Sequence, residues 1–159
     1  MITVRRVGAG EWALWRDVRL AALTESPEAF RARLDDWADG GERRWRERLA
    51  MGDAYNVVAV RGGPAVGVAS GVPDAGGGAW LHSVWVSSEV RGLGVGRRLV
   101  AAVEGWARGR GAAELRLAVL PGNGAAIELY RRQGFAPTGE AGETLPDGAT
   151  ELIMARPLR

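Results

Sequence analysis

Val90-Arg91-Gly92-Leu93-Gly94-Val95-Gly96-Arg97-Arg98-Leu99-Val100 joins a strand-like segment to an amphipathic helix through a glycine-rich turn. Val95, Leu99, Ala102, Val103 and Trp106 lie at offsets of four, seven, eight and eleven, one face of a 3.6-residue period. The spacing therefore predicts a helix whose first amides point into the turn. Three glycines remove the side chains that would keep a ligand off the backbone, and the free N–H groups and the helix dipole favour an anion there. Arg91, Arg97 and Arg98 add positive charge around it. A tight strand-to-helix turn with no ligand is the alternative reading of the same glycines.

Outward from this turn, the pattern alternates between short strands and helices. Ile2 to Val7 reads as a strand, and Glu11 to Leu23 as a helix with Leu14, Val18, Ala21 and Ala22 on one face. Glu28 to Ala50 reads as one or two shorter helices broken near Gly40 and Gly41. Ala54 to Val60, Ala65 to Val72 and Ala79 to Val86 are strand-like runs separated by glycine-rich turns, which predicts an antiparallel meander. After the central helix, Glu114 to Val119 alternates as a strand that a helical crossover places parallel to its predecessor. A second helix from about Gly124 to Gln133 and closing strands near Phe135 to Thr138 and Thr150 to Arg156 complete a mixed sheet. The expected class is α/β in a single domain, residues 1–159.

Composition narrows the chemistry. With 47% hydrophobic and 25% charged residues the chain is globular in type, and no apolar run is long enough to predict a membrane span. Cysteine is absent, which excludes a disulfide framework, a thiolate metal site and an acyl-cysteine intermediate; with no signal-peptide pattern after Met1, a cytoplasmic location is expected. Lysine is absent too, so all 21 basic residues are arginine, as in proteins of GC-rich bacterial genomes. The arginines are scattered and no aromatic-basic RNA motif occurs, so no nucleic-acid partner is expected. A Walker loop ends in Gly-Lys-Ser/Thr and is excluded. Gly92, Gly94 and Gly96 give G-x-G-x-G rather than the G-x-G-x-x-G of a dinucleotide site, and Glu114 begins the next strand instead of ending it.

Arg91-Gly92-Leu93-Gly94-Val95-Gly96 resembles the R/Q-x-x-G-x-G/A loop of the GCN5-related N-acetyltransferases, and Asn123-Gly124-Ala125-Ala126-Ile127-Glu128-Leu129-Tyr130-Arg131-Arg132-Gln133-Gly134-Phe135 resembles the downstream motif of the same superfamily. Arg19 to Phe30 is similar to openings seen in many bacterial members. The resemblance implies a mixed, mostly antiparallel sheet with a splayed parallel pair, and acetyl-coenzyme A as co-substrate without a metal. It places the pyrophosphate on the loop residues Arg91, Gly92, Leu93, Gly94, Val95, Gly96 and Arg97, and the pantetheine arm along Val84, Trp85 and Val86 like an added strand. Asn123, Ala126 and Tyr130 close the cofactor site from the next helix. Asn123 taken alone is equally an N-cap, and Tyr130 taken alone equally a core tyrosine.

The resemblance makes Tyr130 the general acid that protonates the departing thiolate, a role that suits a phenol with an ordinary pKa near 10. An alkylamine is only about 0.04% neutral at pH 7, so a proton acceptor is needed. His82, the sole histidine, is the candidate base, directly or through a water, and strict alternation puts it on the same strand face as Val84 and Val86. A structural histidine is the competing reading. Phe30, Trp37, Trp45, Trp80 and the Glu140 to Asp147 turn are expected at the acceptor side, although aromatic residues there could equally be core; Glu28, Asp35 and Asp36 could orient an amine. The expected reaction is acetyl transfer to a primary amine of a small molecule or protein in one ternary complex, by a monomer or homodimer. A non-catalytic sensor of coenzyme A or its acyl forms is the alternative.

Overall fold

The computed structural model of the chain describes residues 1–25, 41–50 and 54–158. In chain order the elements are β1 (Ile2–Arg6), a short 3-10 turn (Ala9–Glu11), α1 (Trp12–Glu25), α2 (Gly41–Leu49), β2 (Tyr55–Arg61), β3 (Ala65–Pro73) and β4 (Ala79–Val86). There follow a second 3-10 turn (Ser88–Val90), α3 (Val95–Gly109), β5 (Glu114–Val119), α4 (Gly124–Arg132), β6 (Ala136–Thr144) and β7 (Thr150–Pro157). The seven strands form one sheet in the order β1-β2-β3-β4-β5-β7-β6. Only β4 and β5 are parallel; every other pair is antiparallel. The expected mixed α/β architecture and the β2-β3-β4 meander are what the chain adopts.

Each face of the sheet buries its own core. On one face α3 lays Val95, Leu99, Val100 and Val103 against Val57, Ala69, Leu81, Leu115 and Leu117. The helical stripe read from the sequence is thus the buried one, with Val100 and Ala107 widening it. On the other face α1 and α2 place Trp15, Val18, Ala22, Trp45 and Leu49 over Val58, Val68 and Trp85. Trp45 is 1% exposed and belongs to this core, so the alternative reading of that residue holds and the acceptor-side expectation does not.

Two departures from simple alternation position the site. Beyond Leu81, β4 and β5 part company: their pairing ends at Leu81 with Leu117, after which β4 stays with β3 and β5 with β7. The gap that opens between two parallel strands leaves the edge of β4 beyond Leu81 unpaired by β5. In β4 itself, Val68 pairs with Trp85 and Ser70 with His82, so Ser83 and Val84 together oppose the single residue Ala69. This is a β-bulge, with Ser83 held at φ 60°, the one non-glycine residue of left-handed backbone among those described. The extra residue reverses the alternation. Ala79, Leu81, Val84 and Val86 face the α3 core, whereas His82 and Trp85 face the other side. The expectation that His82 shares a face with Val84 and Val86 is therefore corrected: an inserted residue shifts a period of two by half a cycle.

At the sheet's far edge β6 runs to Thr144 rather than ending near Thr138. Its residues Ala136 to Thr144 are nearly all exposed and carry no apolar alternation, so the strand is held by pairing with β7 and leaves no hydrophobic trace in the sequence.

Candidate functional site

A cleft of about 1290 Å³ follows the splay, lined by the end of β4, the glycine turn, the start of α3 and the inner side of α4. Its volume exceeds the roughly 300–1,000 Å³ of an ordinary small-molecule pocket and suits a nucleotide with a long arm. Val84, Trp85 and Val86, every residue from Arg91 to Arg97, and Asn123, Ala126 and Tyr130 all line it. Trp85 turns its indole into the opposite core, so it offers the cleft its backbone.

The glycine turn is shaped by two left-handed residues, Gly92 at φ 85° and Gly94 at φ 77°, where a Cβ would be strained. Gly94 is the N-cap of α3 and has no side chain to occupy the first amides. Those amides, short of helical partners, are free to hold an anion. Gly96 serves a different end: a Cβ there would lie 3.1 Å from Leu129 Cδ2, so the absence of a side chain lets α3 and α4 approach.

The arginines divide. Arg91 lines the cleft but donates from Nη2 to Glu25 Oε1 at 2.8 Å and from Nε to the Val86 carbonyl at 3.3 Å. Arg97 lines the cleft as well, and its carbonyl accepts from Gln133 Nε2 at 3.1 Å. Arg98 points away, donating to the Ile2 carbonyl of β1 at 2.8 Å. Its expected place beside the turn is corrected, because one position along a helix rotates a side chain by about 100°.

On α4 the two readings of each motif residue coincide. Asn123 is the N-cap, its Oδ1 accepting from the Ala126 amide at 3.2 Å, and it also lines the cleft. Tyr130 is 7% exposed and packs edge-on against Phe135, ring centroids 5.9 Å apart, yet it borders the cleft too. Burial pushes its phenol well above the usual range, so it is a proton donor that stays protonated. Sequence reasoning missed several lining residues. Leu120, Pro121 and Gly122 repeat the strand-turn-helix junction just before Asn123 and were findable by that parallel. Asp147 and Ala149, from the β6–β7 turn, carry no sequence signal toward the cleft.

The opposite face of the splay holds a second cavity of about 520 Å³, lined by Trp80, His82, Arg116, Ala118, the Glu140 to Glu143 stretch of β6, Glu151 and Ile153. The Arg116 guanidinium lies 5.3 Å from the Trp80 ring centre and is paired with Glu140 and, at 3.4 Å, with Glu114. Trp80 and His82 are ring neighbours at 6.4 Å. Phe30, Trp37, Glu28, Asp35 and Asp36 lie outside the described residues. The described residues expected on the donor side, and Trp80 and His82, thus occupy two cavities on opposite faces of the sheet, separated by β4 where it leaves β5, while the turn expected on the acceptor side divides: Glu140 to Glu143 line the second cavity and Asp147 the first.

Known proteins are similar to this chain in sequence and fold. The model of the acetyltransferase (GNAT) family matches residues 15–135. An IAA acetyltransferase of Azospirillum brasilense is 36% identical over 113 residues, 70% of this chain and 73% of that protein. A nourseothricin acetyltransferase of known structure is 32% identical with a TM-score of 0.63, and the match covers 67% of this chain and 66% of that one. The chain therefore spans about two thirds of that enzyme's length. A Salmonella typhimurium protein named as an acetyltransferase and solved with its cofactor acetyl-coenzyme A shares the fold at a TM-score of 0.79 and 22% identity, covering 100% of this chain and 95% of the other.

Proposed function

Because the chain belongs to the acetyltransferase (GNAT) family, we propose that residues 1–159 act as a single domain carrying an acetyl group from acetyl-coenzyme A to a primary amine of a small molecule or peptide. The observation that carries this reading is one continuous cleft in which the uncapped α3 amides, the open edge of β4, Asn123 and Tyr130 meet at the strand splay.

The amides of Gly94 to Arg97 hold the pyrophosphate, with Arg91 and Arg97 at its rim. Val84 and Val86 offer their backbone to the pantetheine amides, and an amide near Val84 polarises the thioester carbonyl. Asn123, its oxygen engaged in the cap, turns its amide N–H groups to the same arm. His82 takes the proton of the attacking ammonium, directly or through a water, from the acceptor face. Tyr130 delivers its proton to the departing thiolate. As the chain contains no cysteine, a cysteine acyl-enzyme is unavailable and the amine attacks directly in a ternary complex.

Release of free thiol from acetyl-coenzyme A, measured across polyamines, amino-acid derivatives, aminoglycosides and peptide amines, tests the activity and names the acceptor. Intersecting initial-rate lines are expected; parallel lines would overturn direct transfer.

A further inference from the structure

We propose that Asp147 is a specificity-determining residue that selects acceptors carrying a second positive charge, such as diamines. The inference rests on the acetyl-transfer reading and deepens it. Among the described residues that line the larger cleft, Asp147 is the only carboxylate; the other ionisable groups there are Arg91, Arg97, Arg132 and the Tyr130 phenol. Arg91 and Arg97 belong to the bank formed by the end of β4, the glycine turn and α3. Arg132 of α4 is held by Glu128 at 3.2 Å, which offsets its charge.

Topology puts Asp147 on the other bank. The outermost β5–β7 pair is Val119 with Leu152, and the β6–β7 ladder ends at Thr144 with Thr150. The turn between β6 and β7 therefore projects past the end of β5, from which Leu120 to Gly122 lead into α4. Since β4 and β5 have already parted at Leu81 and Leu117, this turn reaches the cleft from the β5 side.

The carboxylate is held in place with one oxygen to spare. The Leu145 amide donates to the Ala149 carbonyl at 2.8 Å and the Gly148 amide to the Leu145 carbonyl at 2.9 Å, with Gly148 at φ 90°. Asp147 Oδ1 accepts from the Ala149 amide at 2.9 Å, and the Thr144 and Thr150 hydroxyls meet at 3.0 Å across the base of the turn. Asp147 is exposed, and its Oδ2 has no hydrogen bond or ion pair among the described residues. A carboxylate oxygen only accepts, so what it takes is an N–H donor, best a cationic one.

Charge then discriminates between amines. An alkylammonium gives up its proton before attack, so a monoamine is neutral when it meets the thioester, whereas a diamine still carries its second charge. Asp147 stabilises a charge that only the diamine retains at that point. The hairpin around it agrees in sign. The only cation within β6 and β7 is Arg156, which pairs with Glu104 at 2.7 Å and lines neither cavity.

The test compares putrescine with butylamine, which lacks the second ammonium. The ratio of kcat/KM for putrescine to that for butylamine is expected to exceed one in the wild-type protein and to shrink as salt is raised. It should fall about two- to fivefold in Asp147→Asn and further in Asp147→Arg. Asparagine keeps the oxygen that accepts from Ala149, so a merely structural Asp147 leaves the ratio where it was. An unmoved ratio in both variants overturns the proposal. Titration of putrescine into protein saturated with coenzyme A separates this from the transfer reading, and its affinity is expected to drop by the same factor in Asp147→Asn. If the affinity drops but no amine releases thiol, the transfer reading fails and the Asp147 site stands. If thiol is released but neither ratio nor affinity moves, transfer stands and this proposal fails. Putrescine that does not bind, or that binds both proteins alike, overturns it as well.

Discussion

The larger cleft, proposed to take the donor, and the smaller cavity, proposed to face the acceptor, lie back to back across β4, and they are built from different materials. The donor cleft is made of backbone: left-handed glycines, uncapped helix amides and a strand edge freed by the splay. The acceptor cavity is made of side chains gathered from β4, β5, β6 and β7, with Arg116 stacked on Trp80 and pinned by glutamates. A backbone site needs only a short local sequence with the right turn, whereas a side-chain site is assembled by tertiary contacts between distant strands.

Tyr130 borders the larger cleft, and removing its hydroxyl is the strongest way to separate binding from chemistry there. Tyr130→Phe is expected to lower kcat by about 10²–10⁴, the usual worth of a positioned acid, with little change in KM for acetyl-coenzyme A. The ring still packs on Phe135, so stability should change little. The sign of the pH dependence follows from burial: the phenol's folded pKa lies above 10, so its acid form persists through the alkaline range and kcat should show no loss from this group up to about pH 10. A wild-type kcat that falls near pH 9, with the fall abolished in Tyr130→Phe, would remove the desolvated-acid assignment.

Gly94 tests whether the donor site is a matter of backbone geometry. No atom lies within 4 Å of a Cβ built there, yet φ is 77°, so Gly94→Ala meets strain and no clash. A left-handed penalty of about 1–2 kcal/mol falls on the turn that presents the amides, which corresponds to about a 5- to 30-fold rise in KM for acetyl-coenzyme A. The KM of the amine should stay within about twofold. Isothermal titration with coenzyme A reads the same loss without any acceptor, and unaltered binding would mean that the turn does not need this conformation.

Trp80 is the mirror test on the other face. Trp80→Ala opens the cavity and takes away the ring under Arg116, and the amine KM is expected to rise about 3- to 10-fold while KM for acetyl-coenzyme A is unmoved. If both Michaelis constants shift together, the two cavities are not the independent halves described above.

The same contrast explains what could be read before the structure. The turn at Arg91 to Gly96, the helix behind it, the β4–β5 crossover and the Asn123 to Tyr130 helix rest on local periods and turn chemistry, and all occur where the sequence places them. The failures are non-local. Strict alternation puts His82 on the wrong face because the bulge at Ser83 and Val84 is visible only in the pairing with β3. What marks Trp45 as core is its place in one cluster with Trp15 of α1, a tertiary contact that the local sequence does not carry. The Arg48 and Ser70 bonds that converge on Asn56 join residues 8 and 14 positions apart in sequence, with no motif to announce them.

The smallest expected effect concerns a contact between helix α1 and the glycine turn. Glu25, the last residue of α1, accepts from the Ser88 amide at 3.2 Å and from Arg91 at 2.8 Å, so it both anchors the 3-10 turn and holds an arginine that borders the cleft. Both partners are substantially solvated, at 57% and 34% side-chain exposure, and such a pair contributes little to folding. Glu25→Gln keeps an oxygen for the Ser88 amide while removing the charge that neutralises Arg91. The freed guanidinium should attract the phosphates more strongly, lowering KM for acetyl-coenzyme A by about two- to threefold at low ionic strength. At a Debye length near 8 Å in 0.15 M salt the gain should largely vanish. A KM that rises instead, at every salt concentration, would mean that Glu25 serves the donor site by fixing Arg91 in place, and that order in the turn outweighs its charge.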